Sequence, residues 1–304
     1  NFVLSRIVFF IKNNYMPELP EVEVVKRSLT KKVQNSIIKE VKINNGKLRY
    51  HINKKEIQKI IGLKIIKIKR RSKYLLFFFN KDIIMLVHLG MTGKFFFINE
   101  KNTKFKTSFY YHINEKKDQK HDHVVFYLNK KQKLIYNDVR KFGFIKFFNI
   151  KNLNKNSHLS NLGPEPLERE FTHSYVKNYV KDRNIGVKSI MMDQKFVSGI
   201  GNIYANEILF LSKVKPSRKA KSLKDFELKK IVKFTKKILS NSIKFGGSSI
   251  KDFSSENGKR GSFQQYFNVY GKKGDSCTNK KCKNKIIRSI ISLRATFYCS
   301  NCQK

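Results

Sequence analysis

Four cysteines stand in the last 28 residues of a 304-residue chain, as Cys277-x4-Cys282 and Cys299-x2-Cys302 with 16 residues between the pairs. Two thiolate pairs on separate turns, joined by a stretch long enough for a hairpin, suit one tetrahedral zinc ion. Two disulfides are the alternative, but a disulfide framework spreads through a small secreted domain rather than gathering at one end. With every position filled by protein, such a zinc has no room for an activated water, so a structural ion is expected. The stretch between the pairs carries Arg288 and Arg294, guanidiniums suited to phosphate. Near the other end, Glu18 and Glu21 follow Pro17. Read alone, they are first-turn acids complementing a helix dipole, after a proline in a common helix-start position. Arg70-Arg71-Ser72-Lys73 precedes a strand-like run, and a basic loop at a strand edge can grip phosphates. His121 and His123 share a strand face without a third metal ligand, so the pair reads as structural or DNA-proximal.

The elements that must hold these groups follow from hydrophobic period. Val22, Val25 and Leu29 fall at helical spacing. From Ile37 to Phe148 β-branched and aromatic runs such as Leu75–Phe79, Val124–Leu128 and Phe144–Phe148 predict a β-rich domain, a sandwich or barrel. The polar stretch Asn99 to Lys120 reads as a surface loop or extended hairpin. Composition shifts at Leu162-Gly163-Pro164-Glu165-Pro166, an expected boundary. Residues 172–245 read as helices, including Asn202 to Leu211 and Leu223 to Phe245, before a glycine-marked tail that carries the cysteines.

Composition narrows the partner only partway. Lys plus Arg number 65 against 22 Asp plus Glu, a net charge of +43 that attracts polyanions, DNA or RNA first. Lys, Asn, Ile and Phe crowd the whole chain and Trp is absent, a bias of AT-rich coding, so the charge is discounted. No apolar run reaches the roughly 18 residues of a membrane span. The apolar opening, Phe2 to Ile11, is short, carries Arg6 and makes a poor signal peptide; a cytoplasmic, nucleoid-associated location is expected.

An ordered set of motifs then points to one family. Met16-Pro-Glu-Leu-Pro-Glu-Val-Glu, Lys73-Tyr-Leu-Leu, His88-Leu-Gly-Met-Thr-Gly, Lys120-His-Asp-His, Leu162-Gly-Pro-Glu-Pro-Leu, Gly199-Ile-Gly-Asn-Ile-Tyr-Ala-Asn-Glu, Val269-Tyr-Gly-Lys-Lys-Gly and Arg294-Ala-Thr-Phe-Tyr-Cys-Ser-Asn-Cys-Gln all occur. Over residues 16–304 the chain resembles bacterial formamidopyrimidine-DNA glycosylase. Leu19 favours this purine-specific branch over the endonuclease VIII branch, which typically opens Pro-Glu-Gly-Pro-Glu. The resemblance implies a two-domain α+β protein: an N-terminal β-sandwich flanked by helices, and a C-terminal helix–two-turn–helix domain with a four-cysteine zinc finger. The expected units are an N-terminal extension (1–15), the catalytic sandwich domain (16–150), a linker (151–165), the DNA-binding domain (166–262) and the finger (263–304). Residues 1–15 are expected to come from upstream of the true start at Met16.

The same resemblance implies the site. Once Met16 is removed, the secondary amine of Pro17 would attack C1′ of the damaged nucleotide, which an amide nitrogen cannot do. Glu18 would shuttle protons and Glu21 would line the lesion pocket. Lys73 and Arg294 join the catalytic set, and His88 and Asn202 match phosphate contacts, the latter where helix amides also face an anion. Met91, Arg140 and Phe142 would fill the gap left by an extruded base. Val139 and Lys141 stand where a common family form has Pro and Arg, which puts the rigidity of that loop in question. Lys188 and His123 are further DNA-facing candidates, and Gly246 to Gly261 matches a loop that closes over the lesion. The implied activity is excision of oxidised purines such as 8-oxoguanine and formamidopyrimidines, with β,δ-elimination at the abasic site. The expected assembly is a monomer on double-stranded DNA carrying an oxidised purine or abasic site, with one structural Zn2+ and no membrane. Two other readings stand beside it: an oxidised-pyrimidine glycosylase of the endonuclease VIII type, and a DNA-binding protein without chemistry if the N-terminus stays unprocessed.

Overall fold

The computed structural model describes residues 16–101, 103–106, 119–248 and 263–304. Helix α1 (Leu19–Val33) puts Val22, Val25, Leu29 and Val33 on one fully buried face, as their spacing predicts. Further helices and strands follow before the linker among the described residues. They are β1 (Ile38–Ile43), α2 (Lys54–Gln58), β2 (Ile65–Arg71), β3 (Tyr74–Phe79), β4 (Ile83–His88), β5 (Lys94–Ile98), β6 (Lys104–Lys106), β7 (Asp122–Leu128), β8 (Lys133–Asn137) and β9 (Phe144–Asn149). The strands form two antiparallel sheets, ordered β1-β7-β8-β5-β6 and β2-β3-β4-β9.

The sheets face each other across one core. Leu75, Phe77, Phe79, Met85 and Val87 of the second sheet meet Phe95, Phe97, Val124, Phe126, Leu134 and Tyr136 of the first. This is the sandwich rather than a barrel. The apolar runs in β3 and β4 do not alternate with polar residues because the outer face is buried as well. Leu76, Phe78, Ile84 and Leu86 pack there under Leu153, Leu159 and Leu162 of the linker. Of the polar stretch 99–120, β6 pairs with β5, and residues 107–118 lie outside the described residues.

Beyond the linker come α3 (His173–Val180), α4 (Val187–Met192), α5 (Asn202–Ser212) and α6 (Asp225–Lys244), then the hairpin β10 (Ile287–Ile291) and β11 (Arg294–Tyr298). Two turns, at 194–196 and 198–199, separate α4 from α5. Helix α5 is apolar almost all round because it is the centre of this half. One core holds Ile203, Tyr204, Ile208 and Leu209 with Ile231 and Leu239 of α6, and also Val269, Ile286, Phe297 and Cys299. The cysteine segment is therefore continuous with the helical domain's core, where the sequence suggested a unit of its own. No described helix is long and apolar enough to cross a membrane.

Candidate active site

The two halves meet where α1 begins. The Leu19 amide donates to the Gly199 carbonyl (3.0 Å), so the Gly199–Gly201 turn holds the start of the first domain. Pro17 and Glu18 are buried in this junction. The Glu18 carboxylate lies on the open N-terminus of α5. Its oxygens accept from the Gly201 amide (2.7 Å), the Ile203 amide (2.8 Å) and the Tyr204 amide (3.4 Å). A side chain at 201 would occupy the same space: an added Cβ would fall 2.4 Å from Glu18 Cδ. Burial, reinforced by the charge of Glu21, pushes the Glu18 carboxyl up to about 7 against the pull of Lys73 and the two amides. A group poised near neutrality can both give and take a proton.

Glu21 sits one turn further, donating nothing and accepting widely. Its Oε2 takes the Glu18 amide (3.0 Å), and its Oε1 takes the Tyr204 hydroxyl (2.6 Å), the Ser248 amide (2.8 Å) and the Ser248 hydroxyl (2.7 Å). It therefore ties α1 to α5 and to the first residues of the proposed lesion-capping loop, whose residues 249–262 lie outside the described residues. Tyr204, which also bonds Ser242, was missed by sequence reasoning although it lies inside the Gly199–Glu207 motif.

Lys73 occupies the two-residue turn between β2 and β3, after Ser72 at φ +55°. Burial and the nearby Arg294 lower its ammonium pKa, while Glu18 and Glu21 hold it up, so all four groups share one neighbourhood. The preceding arginines are not a phosphate grip. Arg70 donates to Glu23 (3.0 Å) and Glu165 (2.7 Å), while Arg71 donates to Glu165 (3.0 Å), Ser198 (2.7 Å) and the carbonyls of Leu162 and Gly163 (2.9 and 2.7 Å). Glu165 also accepts the Ser72 amide at 2.6 Å. They latch the domains and fix the turn that carries Lys73.

His88 ends β4 beside Lys73. The Gly90 amide donates to its Nδ1 (3.0 Å), which leaves the ring proton on Nε2. Burial and the positive charges of Lys73, Arg49 and His158 lower its pKa to about 3. His88 is thus a neutral donor, not a cation. Arg294 is exposed at the start of β11. Lys188 and Asn202 both reach the same carbonyl next to it, that of Ala295, at 3.2 and 3.0 Å. Lys188, 1% exposed, also donates to the Thr296 hydroxyl (2.7 Å), and burial pushes its pKa down to about 8. Rather than facing outward as anticipated, Lys188 and the Asn202 amide are engaged within the protein and hold the hairpin that presents Arg294.

The proposed gap-filling residues cluster on adjacent loops. Phe142 is 45% exposed, the Arg140 guanidinium lies 4.7 Å from its ring centroid, and Met91 is half-buried on the loop after β4. His123, expected near DNA, is instead 1% exposed, with Nε2 2.8 Å from the Asp138 carbonyl. That bond ties β7 to the loop that carries Arg140 and Phe142.

The cysteine sulfurs all lie within 4.8 Å of one another, with Cys277–Cys302 at 3.8 Å and Cys282–Cys299 at 3.7 Å. Zn–S bonds of about 2.3 Å in a tetrahedron put sulfurs roughly 3.8 Å apart. Asn279 and Asn301 donate to Cys302 Sγ (3.2 Å) and Cys282 Sγ (3.3 Å), as suits thiolate ligands. The cluster has the geometry to hold a metal ion.

Family models for the formamidopyrimidine-DNA glycosylase N-terminal domain and H2TH domain match residues 16–145 and 162–254. The formamidopyrimidine-DNA glycosylase of Rickettsia bellii (strain OSU 85-389) is 39% identical over 289 residues, 95% of this chain and 100% of the relative. That of Rickettsia felis is 38% identical over 288 residues, 95% of this chain and 98% of the relative. Among solved structures, a Lactococcus lactis Fpg variant with Fapy-dG-containing DNA superposes with a TM-score of 0.82 at 29% identity, covering 95% of this chain and 100% of that one. Lactococcus lactis Fpg with abasic-site DNA gives 0.81 at 29% identity, covering 94% and 99%. A sandwich and a helix–two-turn–helix domain closing on a buried carboxylate are thus the frame of a base-excision DNA glycosylase. The chain belongs to the formamidopyrimidine-DNA glycosylase family.

Proposed function

We propose that this glycosylase removes oxidised purines from duplex DNA and then cuts the abasic strand, with the amine of Pro17 as nucleophile. The observation that carries the reading is the buried Glu18 carboxyl, near pKa 7, on the N-terminus of α5 beside Pro17 and Lys73. In the first step the Pro17 nitrogen bonds to C1′ and the glycosidic bond breaks. The departing base takes a proton, for which Glu18 is the nearest group of suitable acidity. Ring opening, with the sugar O4′ taking a proton, gives an iminium ion between Pro17 and C1′, whose positive charge acidifies the C2′ proton. Its removal expels the 3′ phosphate, and a second elimination expels the 5′ phosphate. Lys73, Arg294 and the Nε2–H of neutral His88 would hold phosphates around the everted nucleotide. Cys277, Cys282, Cys299 and Cys302 would hold one Zn2+, which supplies only the fixed shape of the hairpin carrying Arg294. Double-stranded DNA with an oxidised purine or an abasic site is the substrate this reading gives a monomer.

The mechanism requires Pro17 as the first residue of the working protein. Borohydride trapping on a duplex with 8-oxoguanine opposite cytosine, with the N-terminus checked by intact mass, tests it. A covalent protein–DNA adduct is expected, and Pro17→Gly should lose it. Full trapping by that variant assigns the imine to another amine and overturns the mechanism. Faster cleavage of thymine glycol than of 8-oxoguanine would move the substrate to oxidised pyrimidines.

A further inference from the structure

The wedge residues are carried by two loops far apart in sequence, and Asp138 joins them. It is fully buried. Its Oδ1 accepts the Thr92 hydroxyl and, at 3.3 Å, the Arg140 amide, while its Oδ2 accepts the Gly143 amide at 2.8 Å. The Thr92 oxygen in turn accepts the Arg140 amide at 2.9 Å. Thr92 directly follows Met91, and Arg140 and Gly143 bracket Phe142. From below, His123 Nε2 donates to the Asp138 carbonyl at 2.8 Å. The backbones also touch: a Cβ on Gly90 would meet Gly143 N at 2.5 Å, and a Cβ on Gly143 would meet the Tyr136 hydroxyl at 1.9 Å and the His88 carbonyl at 2.6 Å.

We propose that Asp138, with Thr92, is a positioning centre that makes Met91, Arg140 and Phe142 one rigid insertion unit and so sets the choice of base opposite the lesion. It rests on the function proposed above. The physical argument is one of freedom removed. Val139 lacks a proline's fixed φ, and Lys141 sits at φ +57°, in the left-handed region that disfavours a residue with a Cβ. The loop therefore does not owe its shape to its own residues. Charge-assisted hydrogen bonds donated by both loops to one buried carboxylate supply the constraint. Arg140 can discriminate bases only if its guanidinium is aimed before contact, and its own amide is bonded into this centre.

The test is Thr92→Val, which removes one hydroxyl and keeps the side-chain volume, with Thr92→Ser as the conservative rescue and Asp138→Asn as the stronger change. Single-turnover excision of 8-oxoguanine opposite cytosine and opposite adenine is measured, along with borohydride trapping on a single-stranded abasic oligonucleotide, where no opposite base is read. Thr92→Val should lose roughly tenfold in cytosine-over-adenine preference, Thr92→Ser should restore it, and single-strand trapping should stay at the wild-type level. The result that overturns the proposal is a folded Thr92→Val protein with unchanged opposite-base preference, or equal loss of single-strand trapping. Asp138→Asn with wild-type preference would also overturn it. If the wild-type protein neither excises nor traps, the functional reading fails first and takes this proposal with it.

Discussion

Gly201 packs directly against Glu18, and replacing it with alanine tests whether Glu18 works where the structure puts it. The backbone there, φ −131°, is open to any residue, so the substitution acts through space and not through strain. The new Cβ would lie 2.4 Å from Glu18 Cδ and 2.6 Å from its Oε1, while ordinary contact starts at 3.4 Å. The carboxylate must therefore retreat by about 1 Å, stretching its bonds to the amides of residues 201 and 203, and displacement on that scale costs on the order of 100-fold in rate. Gly186→Ala is the control. Gly186 also caps a helix, but its nearest foreign atom to an added Cβ is 3.5 Å away. Both variants lose a glycine cap, worth about 1 kcal/mol at most; only the first moves Glu18. Single-turnover excision and thermal melting on both proteins read the difference. An alanine at 201 that excises within twofold of the control would refute a proton-transfer role for Glu18.

Glu18→Gln should change how stability depends on pH. The carboxyl titrates near 7 in the fold against an ordinary 4.5, so between these values the folded state keeps a proton that the unfolded chain releases. Stability from this group is full below pH 4.5 and declines by up to roughly 3 kcal/mol as pH rises to 7; the glutamine variant should melt with a correspondingly shallower fall, and parallel Tm–pH curves would contradict this. Glu165→Gln removes the negative charge shared by Arg70 and Arg71, both largely inside the domain junction, turns one acceptor oxygen into a donor, and should lower stability by about 3 kcal/mol, seen in chemical denaturation; a change below 1 kcal/mol would mean the latch is ornamental. Metal analysis of purified protein should find one zinc per chain, and Cys299→Ala, whose side chain is fully buried in the helical core, should lose both the metal and cooperative melting of that half. Stoichiometric zinc in that variant would remove the four-cysteine assignment.

Local order was legible in the chain; partnership was not. Val22, Val25 and Leu29 announce α1 because helical period is a local property, and the cysteine spacing announces the metal cluster for the same reason. Arg70 and Arg71 read as phosphate ligands because a basic run beside a strand looks exposed, and only the fold brings Glu165 across 94 residues to neutralise them. His123 and Lys188 failed similarly: a polar residue in a DNA-binding sequence invites a DNA contact, whereas burial assigned each to a carbonyl of its own chain. Asp138 stands two residues before Arg140 and attracts no attention in the sequence. Its importance comes from Thr92, 46 residues away.

These long-range bonds share a direction. Glu18 caps the start of α1, but three of the bonds it accepts come from the start of α5, in the other domain. Helix α5 leaves its first amides unpaired and positive, and the buried carboxylate fills that end instead of a capping side chain of its own, since its cap is glycine. Neither half alone therefore offers the environment that lifts Glu18 toward neutrality: the first domain by itself would expose the carboxyl to water, and the second would leave an open helix end. The near-neutral carboxyl is made by docking. A motion that parts Gly201 from Glu18 would return the carboxyl to an ordinary acid, so opening the domains and losing the near-neutral carboxyl would be one event.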